Sequence, residues 1–63
     1  MGDKYTTKQI RRLLGFSQTE MGEKLGMARN VYANKENGKT AWLSVEVERF
    51  LDVTGYRFEQ VKF

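Results

Sequence analysis

The sequence predicts an all-α domain, a compact bundle of four to five short helices in one domain over residues 1–63. Three observations support this fold class. Apolar residues recur three and four positions apart, with no sustained alternation before the last few residues. Glycines divide the chain into segments of helix length, and proline is absent. Hydrophobic residues make up 40% of the chain, too many for a disordered segment and enough for one small core.

The first two helices have clear boundaries in the sequence. The first carries an apolar stripe formed by Ile10, Leu13 and Leu14. Gly15 ends it, since glycine adopts the left-handed conformation that closes many helices. Ser17 and Glu20 then form a capping box, in which each side chain binds the backbone N–H of the other residue. Ser17 therefore begins a second helix, which Gly26 ends.

The later elements follow from similar start and stop signals. A third helix is expected from Arg29 to Glu36, and a fourth begins with Ser44 as its N-cap. The fourth helix carries its apolar face on Val47, Phe50 and Leu51. The apolar spacing in the tail, residues 56–63, fits either a short fifth helix or an extended segment.

The junction of the second and third helices predicts a helix-turn-helix. A helix that ends at Gly26 and is followed within three residues by another makes a tight corner of this kind. Gly22 lies inside the second helix, where glycine costs about 1 kcal/mol relative to alanine. Because glycine has no side chain, we expect the third helix to cross closely at Gly22. The alternative is a surface glycine that the helix tolerates.

The third helix carries polar side chains suited to the edges of DNA bases. Arg29 can bind guanine O6 and N7 through two hydrogen bonds, and Asn30 and Asn34 can bind adenine N6 and N7 similarly. Asparagine is a poor helix former, so two in one short helix weaken it unless they have another role. The alternative is an ordinary solvated helix face.

Charge and composition favour an anionic partner over catalysis. The net charge is +3, and residues 1–41 carry eight basic and four acidic side chains. This excess favours nucleic acid, although it also fits a solvated surface. Cys and His are absent, which excludes a disulfide framework, a Cys/His zinc site and a Ser–His or Cys–His catalytic pair. No apolar run is long enough for a signal peptide or a membrane span, so we expect a cytoplasmic, non-enzymatic domain without a cofactor.

The segment 15–40 resembles the lambda-repressor-like helix-turn-helix family of Cro and cI proteins. The similarity rests on LGFSQTEMGEKLGM at 14–27, on ENGKT at 36–40, and on the spacing of 43–61, which matches the family's fourth and fifth helices. The resemblance implies a repressor whose third helix enters the major groove of a palindromic double-stranded DNA operator. It also implies a homodimer, weak in a chain of this size and formed in solution or only on DNA. No small-molecule ligand is expected.

The resemblance implies roles for individual residues. Base contacts fall on Ala28, Arg29, Asn30 and Asn34. Phosphate contacts fall on Gln18, Asn37, Lys39 and Thr40, with Lys35 and Arg12 as further candidates. Arg12 is equally compatible with a solvated position on the first helix. Arg11 and Glu36 match a partly buried ion pair between the first and third helices, which removes both charges from the DNA-facing set.

Four positions depart from the family's pattern. Ala28 stands where a capping Ser or Thr is usual, so the third helix is expected to lack a side-chain cap. Tyr32 and Lys35 replace aliphatic residues. We expect Tyr32 to fill the core with its hydroxyl near the edge, and Lys35 to extend outward, toward a phosphate. Trp42 stands where proline is common and is either a lid over the core or a dimer contact.

A protein-interaction module, such as an antitoxin or an antirepressor, is the alternative function. Its support is the second part of the chain, which is slightly acidic and rich in aromatic residues: Trp42, Phe50, Tyr56, Phe58 and Phe63. An enzyme is the third class and has the least support, since no pair of carboxylates is spaced to share a pocket.

Overall fold

Four α-helices make up the body of residues 4–63, the part of the chain that the computed structural model describes. They are α1 (Thr7–Leu13), α2 (Gln18–Lys24), α3 (Arg29–Glu36) and α4 (Ser44–Thr54). A short strand, β1 (Tyr5–Thr6), precedes them, and a 3-10 turn (Phe58–Gln60) and a second strand, β2 (Val61–Lys62), follow. The predicted all-α fold class is confirmed. Within residues 4–63, every helix is too short or too polar to cross a lipid bilayer.

The capping box predicted at the start of α2 is present. Ser17 Oγ accepts a hydrogen bond from the Glu20 N–H at 3.1 Å, and Glu20 Oε1 accepts one from the Ser17 N–H at 2.9 Å. A second box, which we did not predict, begins α1 with Thr6 and Gln9 as the reciprocal pair. Each box satisfies backbone N–H groups that a helix start otherwise leaves unpaired.

The start of α4 differs from the prediction by one residue. Leu43, not Ser44, occupies the cap position, with an extended backbone at φ −82° and ψ 154°. Leucine has no acceptor in its side chain, but Glu46 Oε1 accepts the Leu43 N–H at 2.8 Å. Ser44 as the N-cap is therefore wrong. The helix begins where the Glu46 carboxylate can reach back to an unpaired N–H, and a capping hydroxyl is not needed.

The C-terminal tail is extended apart from its single 3-10 turn. β2 pairs in parallel with β1, with Tyr5 opposite Val61 and Thr6 opposite Lys62. Val61 is 3% exposed and joins the core. The pairing joins the two ends of the described chain. Of the two alternatives for residues 56–63, a short helix or an extended segment, the structure shows the extended segment.

The core receives a fully or almost fully buried side chain from every helix. Its members are Ile10, Met21, Leu25, Tyr32, Phe50 and Val61. Trp42 is half-buried above them, and its ring meets those of Tyr32, Phe50 and Phe63 edge-on at 6.2, 5.4 and 5.2 Å between centroids. Of the two alternatives for Trp42, the structure supports the lid.

Gly22 lies inside α2 and packs against the turn that leads to α3. A Cβ atom added to Gly22 would stand 3.0 Å from the carbonyl oxygen of Met27 and 3.5 Å from the Cβ of Tyr32. Few Cβ atoms approach a backbone oxygen so closely, so the Met27 carbonyl would have to move to admit a side chain here. The close approach predicted at Gly22 is confirmed.

We expect Gly22→Ala to lower the free energy of unfolding by about 1–3 kcal/mol, because the added methyl group displaces the Met27 carbonyl and with it the turn into α3. Helix propensity alone predicts the opposite sign, a gain of about 1 kcal/mol. Urea unfolding measures the difference, with Glu23→Ala, at an exposed position of the same helix, as the matched control. A G22A protein as stable as the parent would contradict the close crossing.

Candidate nucleic-acid interface

Helices α2 and α3 meet at a corner around Gly26 and form a helix-turn-helix. The inward face of α3 carries Tyr32, which is 0% exposed, and Lys35, which is 9% exposed. Arg29 and Asn30 lie in the first turn of α3 and are exposed. The helix is thus held by a buried face while polar side chains of its first turn reach solvent.

The other two predicted base contacts, Ala28 and Asn34, differ in exposure. Ala28 is exposed and occupies the N-cap position of α3, where its side chain makes no capping hydrogen bond, as the sequence predicts. The first-turn N–H groups of α3 therefore have no capping side chain at Ala28. Asn34 is half-buried and follows Asn30 by one helical turn, so the two share one side of the helix.

A buried network of side chains holds α3 against α1 and α2. Arg11 Nε donates to Glu36 Oε2 at 2.8 Å and Arg11 Nη2 donates to Glu36 Oε1 at 3.2 Å. The Tyr32 hydroxyl donates to Glu36 Oε2 at 2.6 Å, and Gln18 Nε2 donates to Oε1 at 3.1 Å. The Glu36 side chain is 0% exposed and that of Arg11 is 10% exposed. The structure therefore contains the buried ion pair between Arg11 and Glu36 that the resemblance implies.

This network sets the protonation of its members. Burial alone would raise the pKa of the Glu36 carboxyl, but hydrogen bonds from Arg11, Tyr32 and Gln18 outweigh it, so the pKa is lowered. The hydrogen bond to Glu36 raises the pKa of the Arg11 guanidinium. Burial, with the hydrogen bond to Glu36, raises the pKa of the Tyr32 hydroxyl. At neutral pH the ion pair is charged and Tyr32 keeps the proton that it donates.

Gln18 is the first residue of α2, and its side chain is oriented by Glu36. One amide N–H donates to Glu36 Oε1, which holds the half-buried side chain between the start of α2 and the end of α3. The amide carries a second N–H as well as its carbonyl oxygen. That second N–H is the group suited to the phosphate contact that the resemblance assigns to Gln18.

The loop after α3 carries three of the predicted phosphate contacts, Asn37, Lys39 and Thr40, all of them exposed. The backbone N–H groups of Lys39 and Thr40 donate to the carbonyl oxygen of Asn34 at 2.8 and 3.3 Å. These bonds turn the chain back against the end of α3. Arg12 is exposed as well, on α1.

Lys35 does not extend outward, and the expectation that it does so is wrong. Its side chain is 9% exposed, and its Nζ donates to the carbonyl oxygen of Ala41 at 3.0 Å. The same atom lies 2.8 Å from Glu46 Oε1. A carboxylate and a carbonyl satisfy the ammonium inside the protein, so the side chain gains nothing from reaching solvent. Lys35 therefore leaves the set of candidate phosphate contacts.

Sequence reasoning missed Arg49, which lies on α4 and contacts the corner of the helix-turn-helix. Its Nη1 donates to the carbonyl oxygen of Leu25 at 3.0 Å, at the C-terminal end of α2. Carbonyls there lack helical partners, and a cation is favourable against the helix dipole. Gly26 leaves the room, since a Cβ atom there would lie 3.0 Å from the same Nη1. The 24 positions between Arg49 and Leu25 leave no local motif that signals the contact.

We expect acid to destabilise the protein as Glu36 takes up a proton. Its pKa in the folded chain lies below the ordinary 4.5, so the unfolded state protonates first. Stability is therefore full above 4.5 and falls as the pH drops from there through the folded-state pKa. Glu36→Gln should flatten this dependence without abolishing it, because the pKa values of Glu20 and Glu46 are also lowered.

Urea unfolding between pH 7 and pH 3 measures the effect, with Glu23→Gln, at an exposed position, as the control. At pH 7 the E36Q protein should lose about 3 kcal/mol, because Arg11 keeps a buried charge without its partner. An E36Q protein with the parent's pH dependence would show that Glu36 is not the group responsible.

Comparison with known proteins identifies the family. A family model described as helix-turn-helix matches residues 8–58. No curated protein matches the chain, and no solved structure does. The matched range extends from the second residue of α1 to the 3-10 turn, so it contains the α2–α3 corner and the loop after α3. The chain belongs to the helix-turn-helix family of DNA-binding regulators and is of the Cro/cI type that its sequence resembles.

Proposed function

We propose that the chain is a transcriptional repressor that binds a palindromic operator as a dimer, with α3 in the major groove of double-stranded DNA. The exposure of Arg29 and Asn30 in the first turn of α3 carries this proposal. In a helix-turn-helix, the N-terminal residues of the second helix contact the base edges. Asn30 lies on the side of α3 opposite the buried Tyr32. Arg29 lies one turn before Tyr32 and is exposed at the start of the helix.

Each base-contacting residue has a preferred target. Arg29 donates two parallel hydrogen bonds to O6 and N7 of a guanine. Asn30 and Asn34 pair with N6 and N7 of adenines, one helical turn apart on the same side of α3. The small Ala28 at the helix start lets the backbone approach the groove, where a thymine methyl group fits against it.

The backbone of the operator is held on both sides of α3. Gln18 contacts a phosphate at the start of α2, where the helix dipole and the first N–H groups favour an anion. Asn37, Lys39 and Thr40 contact phosphates from the loop after α3, and Arg12 extends this set from α1. These contacts fix the register of α3 and carry no sequence information themselves. A repressor bound over a promoter then blocks polymerase by occupying the same DNA.

The dimer contact is assigned to exposed apolar side chains in the second part of the chain. Leu43, Val45, Phe58 and Phe63 are 59%, 57%, 62% and 38% exposed. The Phe63 ring stacks on Phe58 at 6.2 Å and meets Trp42 at 5.2 Å, so Phe58 and Phe63 form one patch with the lid over the core. Apolar patches of this kind mark interaction sites. So few side chains support only a small interface, which fits a weak dimer completed on DNA.

A second apolar patch keeps the protein-interaction module as an alternative. Leu13, Leu14 and Tyr5 are 67%, 38% and 38% exposed and lie on β1 and at the end of α1, beside Arg12 and apart from α3 and the loop after it. An antitoxin or an antirepressor would use this patch to hold a protein partner.

Selection of bound duplexes from a random pool tests the function most directly. We expect a palindromic consensus, since the symmetry of a dimer is mirrored in its operator. Mobility-shift titrations of the selected duplex should show log K falling linearly with log salt concentration. If no duplex is preferred at micromolar protein, the repressor is excluded and the interaction module becomes the better proposal.

Arg29→Ala should weaken binding to the selected operator by about 1–3 kcal/mol and relax the preference at one base pair of each half-site. The reason is that a bidentate contact to guanine is lost while the phosphate contacts stay. Titration of the operator and of its single-base variants measures both effects. Equal loss on every duplex would remove Arg29 from the base-reading set.

Lys39→Ala is the matched control, since it removes one positive charge from the loop and no base contact. It should weaken all duplexes alike and reduce the salt slope by about one unit, the value for one phosphate contact. An unchanged slope would remove Lys39 from the phosphate contacts.

Phe58→Asp should weaken binding to the full palindrome by about tenfold or more, while binding to a half-site stays constant. The reason is that contact between two bound copies raises the affinity only when both half-sites are present. Phe58 is 62% exposed, so the change removes little buried apolar surface. Leu13→Asp, at an exposed position of the other patch, is the control. If L13D lost the palindrome preference and F58D kept it, the dimer contact would lie on α1 instead.

A further inference from the structure

We propose that Lys35 positions the loop between α3 and α4 for its contact with the DNA backbone, and that it acts through Ala41 and Glu46 and not through a phosphate. This inference rests on the proposed function. It assigns a role to a buried cation that departs from the family's pattern and that DNA cannot reach.

The loop is fastened to α3 at its beginning. The N–H groups of Lys39 and Thr40 both donate to the carbonyl oxygen of Asn34. The Gly38 N–H donates to the carbonyl oxygen of Lys35 at 3.2 Å. These bonds hold the first half of the loop, and they leave its second half to be held by side chains.

Lys35 and Glu46 provide that second attachment. Lys35 Nζ donates to the Ala41 carbonyl oxygen at 3.0 Å and lies 2.8 Å from Glu46 Oε1. The same Glu46 oxygen accepts the Leu43 N–H at 2.8 Å. One ammonium and one carboxylate therefore bind the backbone on both sides of Trp42 and join α3 to the first turn of α4.

Burial makes this bridge strong enough to hold a loop. The side chains of Lys35 and Glu46 are 9% and 18% exposed, so solvent screens their attraction only in part. Both charges also have hydrogen bonds to backbone groups, which offset the loss of hydration. Lys39 and Thr40 lie between the attachment to Asn34 and the attachment at Ala41, so the bridge limits the motion of this segment from its second end. The two residues are then ordered before binding, and the entropy of ordering them is not lost on association.

The direction in which removal of Glu46 changes the affinity for DNA distinguishes a positioning role from an effect of net charge. Glu46 is an acid, and removal of an acid near DNA strengthens binding when only net charge matters. If Glu46 holds the loop in place, its removal weakens binding instead. Glu48, exposed on the same helix, provides the matched control for charge alone.

The experiment measures operator affinity for Glu46→Ala, Glu48→Ala, Lys35→Met and the Lys35→Met/Glu46→Ala double variant, at a temperature where circular dichroism shows each to be folded. We expect E46A and K35M each to bind about tenfold more weakly, the effect of roughly two side chains left mobile before binding. E48A should bind as well as the parent or slightly better. The double variant should lose no more than either single variant, since both break one bridge.

Amide hydrogen exchange without DNA provides the second readout. The N–H groups of Lys39, Thr40 and Leu43 should lose protection in K35M, while that of Leu25, at the end of α2, keeps it. Equal loss at Leu25 would mean general destabilisation and would overturn the positioning role. So would an E46A affinity equal to that of E48A. Failure of the parent to prefer any duplex would overturn the proposed function first, and this inference with it.

Discussion

The Glu36 carboxylate is the point at which three helices are joined. Its two oxygens accept hydrogen bonds from Arg11 on α1, Gln18 on α2 and Tyr32 on α3 itself. Arg11 Nη1 also donates to the carbonyl oxygen of Phe16, in the turn between α1 and α2, at 2.8 Å. Burial of an ion pair is unfavourable unless its remaining donors and acceptors find partners, and here they do. The orientation of α3, and with it the direction of Arg29 and Asn30, depends on this carboxylate.

The distribution of charge follows from such internal pairs. Within residues 4–63, ion pairs join Arg11 to Glu36 and Lys35 to Glu46, and Arg49 binds the end of α2. Three basic side chains thus hold helices and loops together. The net charge of +3 therefore says little about the DNA-facing surface by itself. The proposed DNA contacts depend instead on three of the exposed cations: Arg12 on α1, Arg29 on α3, and Lys39 in the loop.

Much of the fold and of the site could be predicted because the signals are local. Ser17 and Glu20 lie three positions apart, and the bounds of α3 follow from residues in or beside it. The close crossing at Gly22 could be predicted because a glycine inside a helix lowers its stability unless another contact requires it. The predictions that were wrong or left open concern residues whose partners lie in other segments of the chain. The sequence around Lys35 predicts a solvent-exposed lysine, because its partners Ala41 and Glu46 come from the loop and from α4. The strand β2 depends on β1, which lies more than fifty positions away.

By itself the sequence determined the helical segments, the corner at Gly26 and the side chains on the outer face of α3. These depend on backbone propensities and on contacts between residues three or four positions apart, which the order of residues alone specifies. Only the tertiary structure decided which charges are internal and how the chain ends pack. Ion pairs and strand pairing depend on which segments meet in space, and burial changes both the hydration of a charge and its value to the fold. Arg29 and Lys35 are both cations on one short helix, yet Arg29 is exposed to solvent and Lys35 is buried.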